Sequence, residues 1–376
     1  MKLPTQREGL DKQMSCKEKV LERVPERNST IEYKGYQKKI INILIIMAIS
    51  IVVLMYVVLR MGVSDITVQN IIETLMGKGT DVMKTIIWKI RMPRIVGAVV
   101  AGAALSLAGC IMQNNLKNPL ASPSTLGVTS AAAFGANFAI IFLGSGSFQS
   151  GNSDAVMIVH PYVVTLNAFI FSMIAVFIIM ALAKLRMFTP NVIILVGVAI
   201  SSLFGAGTTF LQYFANEAKL ATAVFWTFGN LGRVSWKELG IMSMALVAAS
   251  AYFMFRSWDY NAMINGDDCA KSLGVNTRNV RLGGMFFSSL LVAIAVSFMG
   301  IISFIGLISP QIMRRIIGND HRFLIPGSAL FGSLILLVSD TVARTIISPV
   351  ILPVGVITSF MGAPLFIYIL MRDYKN

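Results

Sequence analysis

The chain has 376 residues, 55% of them hydrophobic and only 13% charged, against roughly a quarter charged in soluble domains. That composition excludes a soluble domain and implies an all-α, polytopic membrane protein, because a backbone in lipid must satisfy its own hydrogen bonds. The net charge of +14 reads as basic residues gathered at a membrane boundary; charge alone carries no nucleic-acid signature, and no nucleic-acid partner is expected.

Residues 1–38 are hydrophilic, with mixed charges, Pro25 and few large apolar side chains. They lack the apolar core of a signal peptide and read as a mobile cytoplasmic extension. From residue 39 to 373 the chain reads as one membrane domain. Apolar runs of about 20 residues, the length that crosses a bilayer, recur about ten times. They are Ile40 to Leu59, Ile95 to Met112, Leu126 to Leu143, Val163 to Leu182, Val192 to Gln212, Leu239 to Phe255, Gly283 to Phe298, Ile301 to Met313, Phe323 to Val338 and Val354 to Leu370. The eighth is short and interrupted by Pro310.

Lys and Arg gather on the cytoplasmic side of membrane helices. Lys34, Lys38 and Lys39 put the N-terminus inside, and alternate counting then places Lys184 and Arg186, Arg256 to Arg281, Arg314 to Arg322, and Arg372 and Lys375 inside as well. Both termini are therefore expected in the cytoplasm. The same count leaves Lys84, Lys89, Arg91 and Arg94 outside, together with Arg344 and the scattered Lys219, Arg233 and Lys237. Two readings are open: these residues snorkel to lipid phosphates or cap helices, or they form a positive outer face for an acidic partner.

In the second run Ala98, Gly102, Ser106 and Cys110 recur every four residues, a small-residue stripe on which another helix can approach closely. Asp340 is the main acid deep in an apolar run, with Arg344 four residues on, where the two can form a structural ion pair. The lack of a distributed acid relay argues against an ion-coupled transporter. In "NGDDCAKSLGVNTRNVR" (Asn265 to Arg281) Asp267 or Asp268 can cap a short helix and Gly274 can end it. Such a helix is either a docking knob for a soluble partner or a loop helix lying on the membrane. No phosphate-cradling loop is present, since "MGKGT" at Met76 to Thr80 lacks the first glycine. Nor is there a nucleophile elbow, zinc motif or paired carboxylate, so no catalytic or metal residue is assigned. The cysteines Cys16, Cys110 and Cys269 lie far apart, without metal-ligand spacing.

Seven stretches occur in a recognisable order between Trp88 and Leu370: "RMPRIVGAVVAGAALSLAGCIMQ", "NPLASPSTLGV", "VGVAISSLF", "NGDDCAKSLGV", "FIGLISPQIMRRIIGNDHRFLIPGSALFG", "SDTVAR" and "LPVGVITSFMGAPLFIYIL". Together they resemble the FecCD family of ABC importer permeases, which handle ferric siderophores, haem and cobalamin. The resemblance implies the type II importer permease fold, with ten helices per subunit and two inverted repeats, here runs two to five and seven to ten. It implies that Arg91, Arg94 and Arg344 receive acidic side chains of an extracellular substrate-binding lipoprotein. It assigns Gly266, Asp267, Asp268, Ala270, Leu273 and Gly274 to a coupling helix that fits a groove of the ATPase, and Thr189, Pro190 and Asn191 to the inner gate. Gln311 stands where the family commonly has histidine, and Ile351 where an acid often precedes the L-P-[IV]-G stretch.

The implied function is the permease subunit of an importer in the bacterial cytoplasmic membrane, taking up a ferric-siderophore-like cargo. Its partners would be a second permease subunit, identical or related, two ATP-binding subunits, the binding lipoprotein and membrane lipid. No cofactor is expected on this chain, ATP and magnesium being bound by the partner ATPase. An ion-coupled secondary transporter and a non-transporting membrane scaffold or receptor are the rival classes.

Overall fold

In the computed structural model, which describes residues 29–61, 68–148, 156–158, 160–185, 190–347 and 350–373, each of the ten apolar runs maps onto one helix, the third and eighth only in part. In chain order the helices are α1 (Ser29–Arg60), α2 (Val68–Leu75), α3 (Asp81–Lys84), α4 (Met92–Asn115), α5 (Val128–Ile141), α6 (Pro161–Leu185), α7 (Pro190–Tyr213), α8 (Glu217–Thr227), α9 (Trp236–Phe255), α10 (Ser257–Ile264), α11 (Asp267–Ser272), α12 (Thr277–Met299), α13 (Ile305–Ile317), α14 (His321–Thr345) and α15 (Val354–Asp373). Among the described residues seven of these, α1, α4 with the turns before it, α6, α7, α9, α12 and α14, are long and apolar enough to cross a membrane. The apolar parts of α5 and α15 are shorter, and α13 carries Arg314 and Arg315 in its last turn. Residues 29–38, assigned from sequence to the extension, are part of α1; residues 1–28 lie outside the described residues.

Helix α4 is buried along almost its whole length because its side chains are small enough for three neighbours to close on it. The stripe at Ala98, Gly102, Ser106 and Cys110 faces α14. A Cβ on Gly102 would lie 2.4 Å from the Gly332 carbonyl oxygen, and the Ser106 hydroxyl donates to the Ser328 carbonyl at 2.6 Å. On another face, a Cβ on Gly109 would lie 1.7 Å from the Gly306 carbonyl oxygen of α13, so only glycine admits this approach. Helix α12 runs antiparallel to α4: Arg281 near its start bonds the Asn115 carbonyl at the end of α4, and Met299 at its end lies beside Gly97.

Among the elements between the apolar runs, two lie together near the start of α4. A two-stranded antiparallel hairpin, β1 (Gly146–Phe148) with β2 (Val156–Ile158), packs on α8. Helix α8 is opened by Asn216, whose side chain accepts from the Lys219 amide at 2.9 Å. Both lie at the end of the bundle where α4 begins, since Ile158, Thr222 and Arg94 line one cavity.

Replacing Gly109 with alanine should lower the thermal unfolding midpoint of the detergent-purified protein, at a cost of about 1–3 kcal/mol for overpacking. Gly205→Ala, where nothing stands within 4 Å of the added Cβ, should leave it unchanged or raise it.

Candidate functional site

The charged groups legible in the sequence collect at the two ends of α4. At the end where α4 begins, Pro93 in the first turn presets the helical backbone and Arg94 turns toward α14. Asp340, fully buried, accepts from Arg94 Nε at 3.0 Å (Oδ1) and 3.2 Å (Oδ2) and from Nη2 at 2.8 Å (Oδ1). Arg344, one turn further along α14, brings its Nε to 3.1 Å from Oδ2 of the same carboxylate. That contact is a charge pair outside hydrogen-bonding alignment, and among the described residues the buried Arg344 Nε and Nη2 have no hydrogen-bond partner. Arg91 reaches sideways: its Nη1 donates to the Leu59 carbonyl at 2.7 Å and the Arg60 carbonyl at 3.3 Å, where the C-terminal dipole of α1 favours a cation.

Arg91 and Arg94, expected to face outward, are thus buried, with 6% and 9% of their surface exposed. The physical reason is satisfaction of their donors: a buried guanidinium requires acceptors, and the end of α1 and Asp340 supply them. The i, i+4 pair of Asp340 and Arg344 is present, yet the better aligned partner of Asp340 is Arg94, 246 residues away.

At the other end of α4, the "NGDDCAKSLGV" stretch forms α11, a short helix between α10 and α12. Gly274, with φ of +84°, supplies the left-handed stop expected of it. Neither aspartate caps the helix; Gly266 holds the N-cap position, with φ of +114°. Asp267 instead bonds Lys117 Nζ at 2.6 Å and Arg281 Nη2 at 3.0 Å. Arg281 is buried and donates its Nε to the Asn115 carbonyl at 2.8 Å. Lys117, just past α4, takes a left-handed backbone with φ of +46°. Ala270 is buried, Asp268 is exposed, and Leu273 stands 62% exposed at the helix end.

A second tie holds the same segment to α14. The Asn261 amide of α10 donates to Asp320 Oδ1 at 2.9 Å, and its oxygen accepts from the His321 backbone N–H at 2.8 Å. The Arg322 guanidinium lies 4.4 Å over the Trp258 ring. Burial works to raise Asp267, but Lys117 and Arg281 outweigh it and hold the carboxyl below its usual range. Because the folded value is depressed, the latch contributes above the ordinary carboxylate value and is lost as pH falls through the lowered one.

Of the gate residues, Thr189 lies outside the described residues, whereas Pro190 and Asn191 open α7. Gln311, which stands where the FecCD family commonly has histidine, donates to the Pro119 carbonyl at 2.8 Å and ties α13 to the turn after α4.

Replacing Asp340 with alanine would leave two buried guanidiniums without their shared anion, which costs about 3–5 kcal/mol. A marked fall in the detergent unfolding midpoint is expected for Asp340→Ala and a smaller one for Arg344→Gln, which leaves the Arg94 pair intact.

Comparison with known proteins places this architecture. The FecCD transport family matches residues 47–372. A Methanocaldococcus jannaschii protein described as an ABC transporter permease is 50% identical over 345 residues, covering 92% of this chain and 98% of that one. The hemin transport system permease protein of Yersinia pestis is 33% identical over 325 residues, 86% of this chain and 95% of that one. A solved structure described as a metal-chelate type ABC transporter in an inward-facing conformation superposes with a TM-score of 0.77 at 30% identity, covering 88% of this chain and 99% of that one. The chain belongs to the FecCD transport family and is a multi-pass permease subunit of an ABC transporter.

Proposed function

We propose that this chain imports a metal chelate of the ferric-siderophore class across the cytoplasmic membrane, pairing with a second permease subunit around a central path. Two ATP-binding subunits, which carry the ATP and magnesium, would sit at the Asp267 end, and an extracellular binding lipoprotein at the Arg94 end. The observation that carries this reading is α11: a short helix anchored on both sides that leaves a large apolar side chain, Leu273, facing outward. An exposed leucine on a rigidly held short helix suits a partner's apolar groove.

The anchors define how a push on α11 would travel. Asp267 passes it to Arg281 and Lys117, hence to α12 and the end of α4. Asn261 passes it to the start of α14. Helices α12 and α14 both pack on α4 and reach the Arg94 end, so partner binding at α11 biases the arrangement of the opposite mouth. The relatives' printed substrates, hemin in one and metal chelates in another, support cargo of the chelate class.

At the Arg94 end the docking role falls to Arg344. It is the one of the three arginines that keeps partial exposure, which suits an acidic side chain of the binding protein, while Arg91 and Arg94 hold the helix ends behind it.

In vesicles containing the complete transporter, Leu273→Asp should cut ATP-dependent uptake by about tenfold or more, the equivalent of 1.4 kcal/mol of lost coupling contact. ATP hydrolysis and membrane insertion should persist; normal uptake would remove α11 from the coupling path. Arg344→Gln should weaken binding-protein association about fivefold and reduce its salt sensitivity, whereas unchanged affinity would exclude Arg344 from the docking surface.

A further inference from the structure

A cavity of about 900 Å³ opens beside Arg94, enclosed by β2, the first turns of α6, helix α8, the start of α9, the end of α12 and residues 350–353. Its walls are mixed, with the aromatic rings of Tyr162, Phe225, Trp226 and Phe298 beside polar side chains, and its volume lies in the range of small-molecule sites.

Two guanidiniums meet this apolar space. Arg233 ends a turn, Leu231–Arg233, that Asn230 caps by accepting from the Gly232 amide at 2.8 Å. Its own donors reach only the Trp226 carbonyl at 3.4 Å and the Phe225 carbonyl at 3.3 Å, the last turn of α8. No carboxylate among the described residues pairs with it. Burial lowers Arg233 to about 10, so it stays charged at neutral pH. Arg94 spends Nε and Nη2 on Asp340; its Nη1 lies at the cavity wall, 3.4 Å from where a Cβ on Gly232 would sit. The acid in the wall, Glu238, is already engaged, accepting from the Ser235 backbone N–H at 2.9 Å and from its hydroxyl.

A cation held by two long carbonyl contacts, with the acid in the wall engaged elsewhere, is an incomplete arrangement. A carboxylate or phosphate oxygen completes it with charge-assisted hydrogen bonds, and the aromatic walls take the body of the molecule.

We propose that this cavity binds an amphiphile bearing an oxyanion on an apolar body, the oxyanion seated between Arg233 and Nη1 of Arg94 and the body against Tyr162, Phe225, Trp226 and Phe298. The shared chemistry fits the carboxylate of a metal chelate entering from the Arg94 end or the headgroup of an anionic lipid.

The test uses the complete chain in phosphatidylcholine nanodiscs, with empty nanodiscs as reference, and compares pyrenebutyrate with its neutral isostere pyrenebutanol. The parent should bind the carboxylate about tenfold more tightly, the effect of one well-placed charged hydrogen bond. Arg233→Gln should abolish the preference and Arg233→Lys keep most of it. Thr165→Trp, which fills the cavity from the α6 wall, should weaken both probes alike and tests the location without touching the arginine. Displacement of pyrenebutyrate by added phosphatidylglycerol identifies the lipid headgroup as the natural occupant, and displacement by ferric citrate identifies the chelate. Equal binding of the two probes to the parent, a preference that survives Arg233→Gln, full binding to Thr165→Trp, or displacement by neither competitor would overturn the proposal.

Discussion

The absence of side chains at two positions of α4 sets the rest of the architecture. Gly102 brings the backbone of α14 against α4, and Gly109 does the same for α13. Close helix approach replaces the hydrophobic drive that lipid cannot supply with dispersion contacts over long faces. Once α14 and α12 are drawn antiparallel onto α4, their termini meet its termini. The ionic groups are brought together by this packing and could not assemble without it.

Each end of α4 then carries a buried arginine held by one acid, which it shares with a second cation. At one end Asp340 serves Arg94 and Arg344; at the other Asp267 serves Arg281 and Lys117. Desolvation makes such pairs poor sources of net stability, but breaking one is expensive. Their effect is to fix the longitudinal register of α4 against α14 and α12, so that a displacement at the Asp267 end is not absorbed by sliding helices. A permease that must transmit a push across the bilayer needs that stiffness between its mouths.

Much of this was legible in the sequence. The ten apolar runs each map onto a helix, two of them in part, the four-residue stripe faces a neighbour, and the short helix before Gly274 stands where its stop signal put it. What local spacing could not show was partnership between distant residues. Positive-inside counting identified Arg91 and Arg94 as anomalous but could not tell an outward cation from a buried one, since the answer depends on Asp340 and the end of α1. The pairing of Asp340 with Arg344 was visible at i, i+4, whereas its better aligned partner came from another helix. Asp267 read as a cap because caps are local; Lys117 and Arg281 drew it elsewhere. Helix α8 had a usable signal in Asn216 followed by Glu217, but its eleven residues are too few to register as a membrane run.

The central claim is that movement of cargo is driven through α11 by ATP binding on partner subunits, not by an ion gradient. Uptake of a ferric chelate into vesicles containing the permease, its ATP-binding subunits and the binding lipoprotein tests it most directly. The account predicts uptake that requires ATP and is unchanged when ionophores collapse proton and sodium gradients. Uptake that continues without the ATP-binding subunits and stops when those gradients collapse would contradict it.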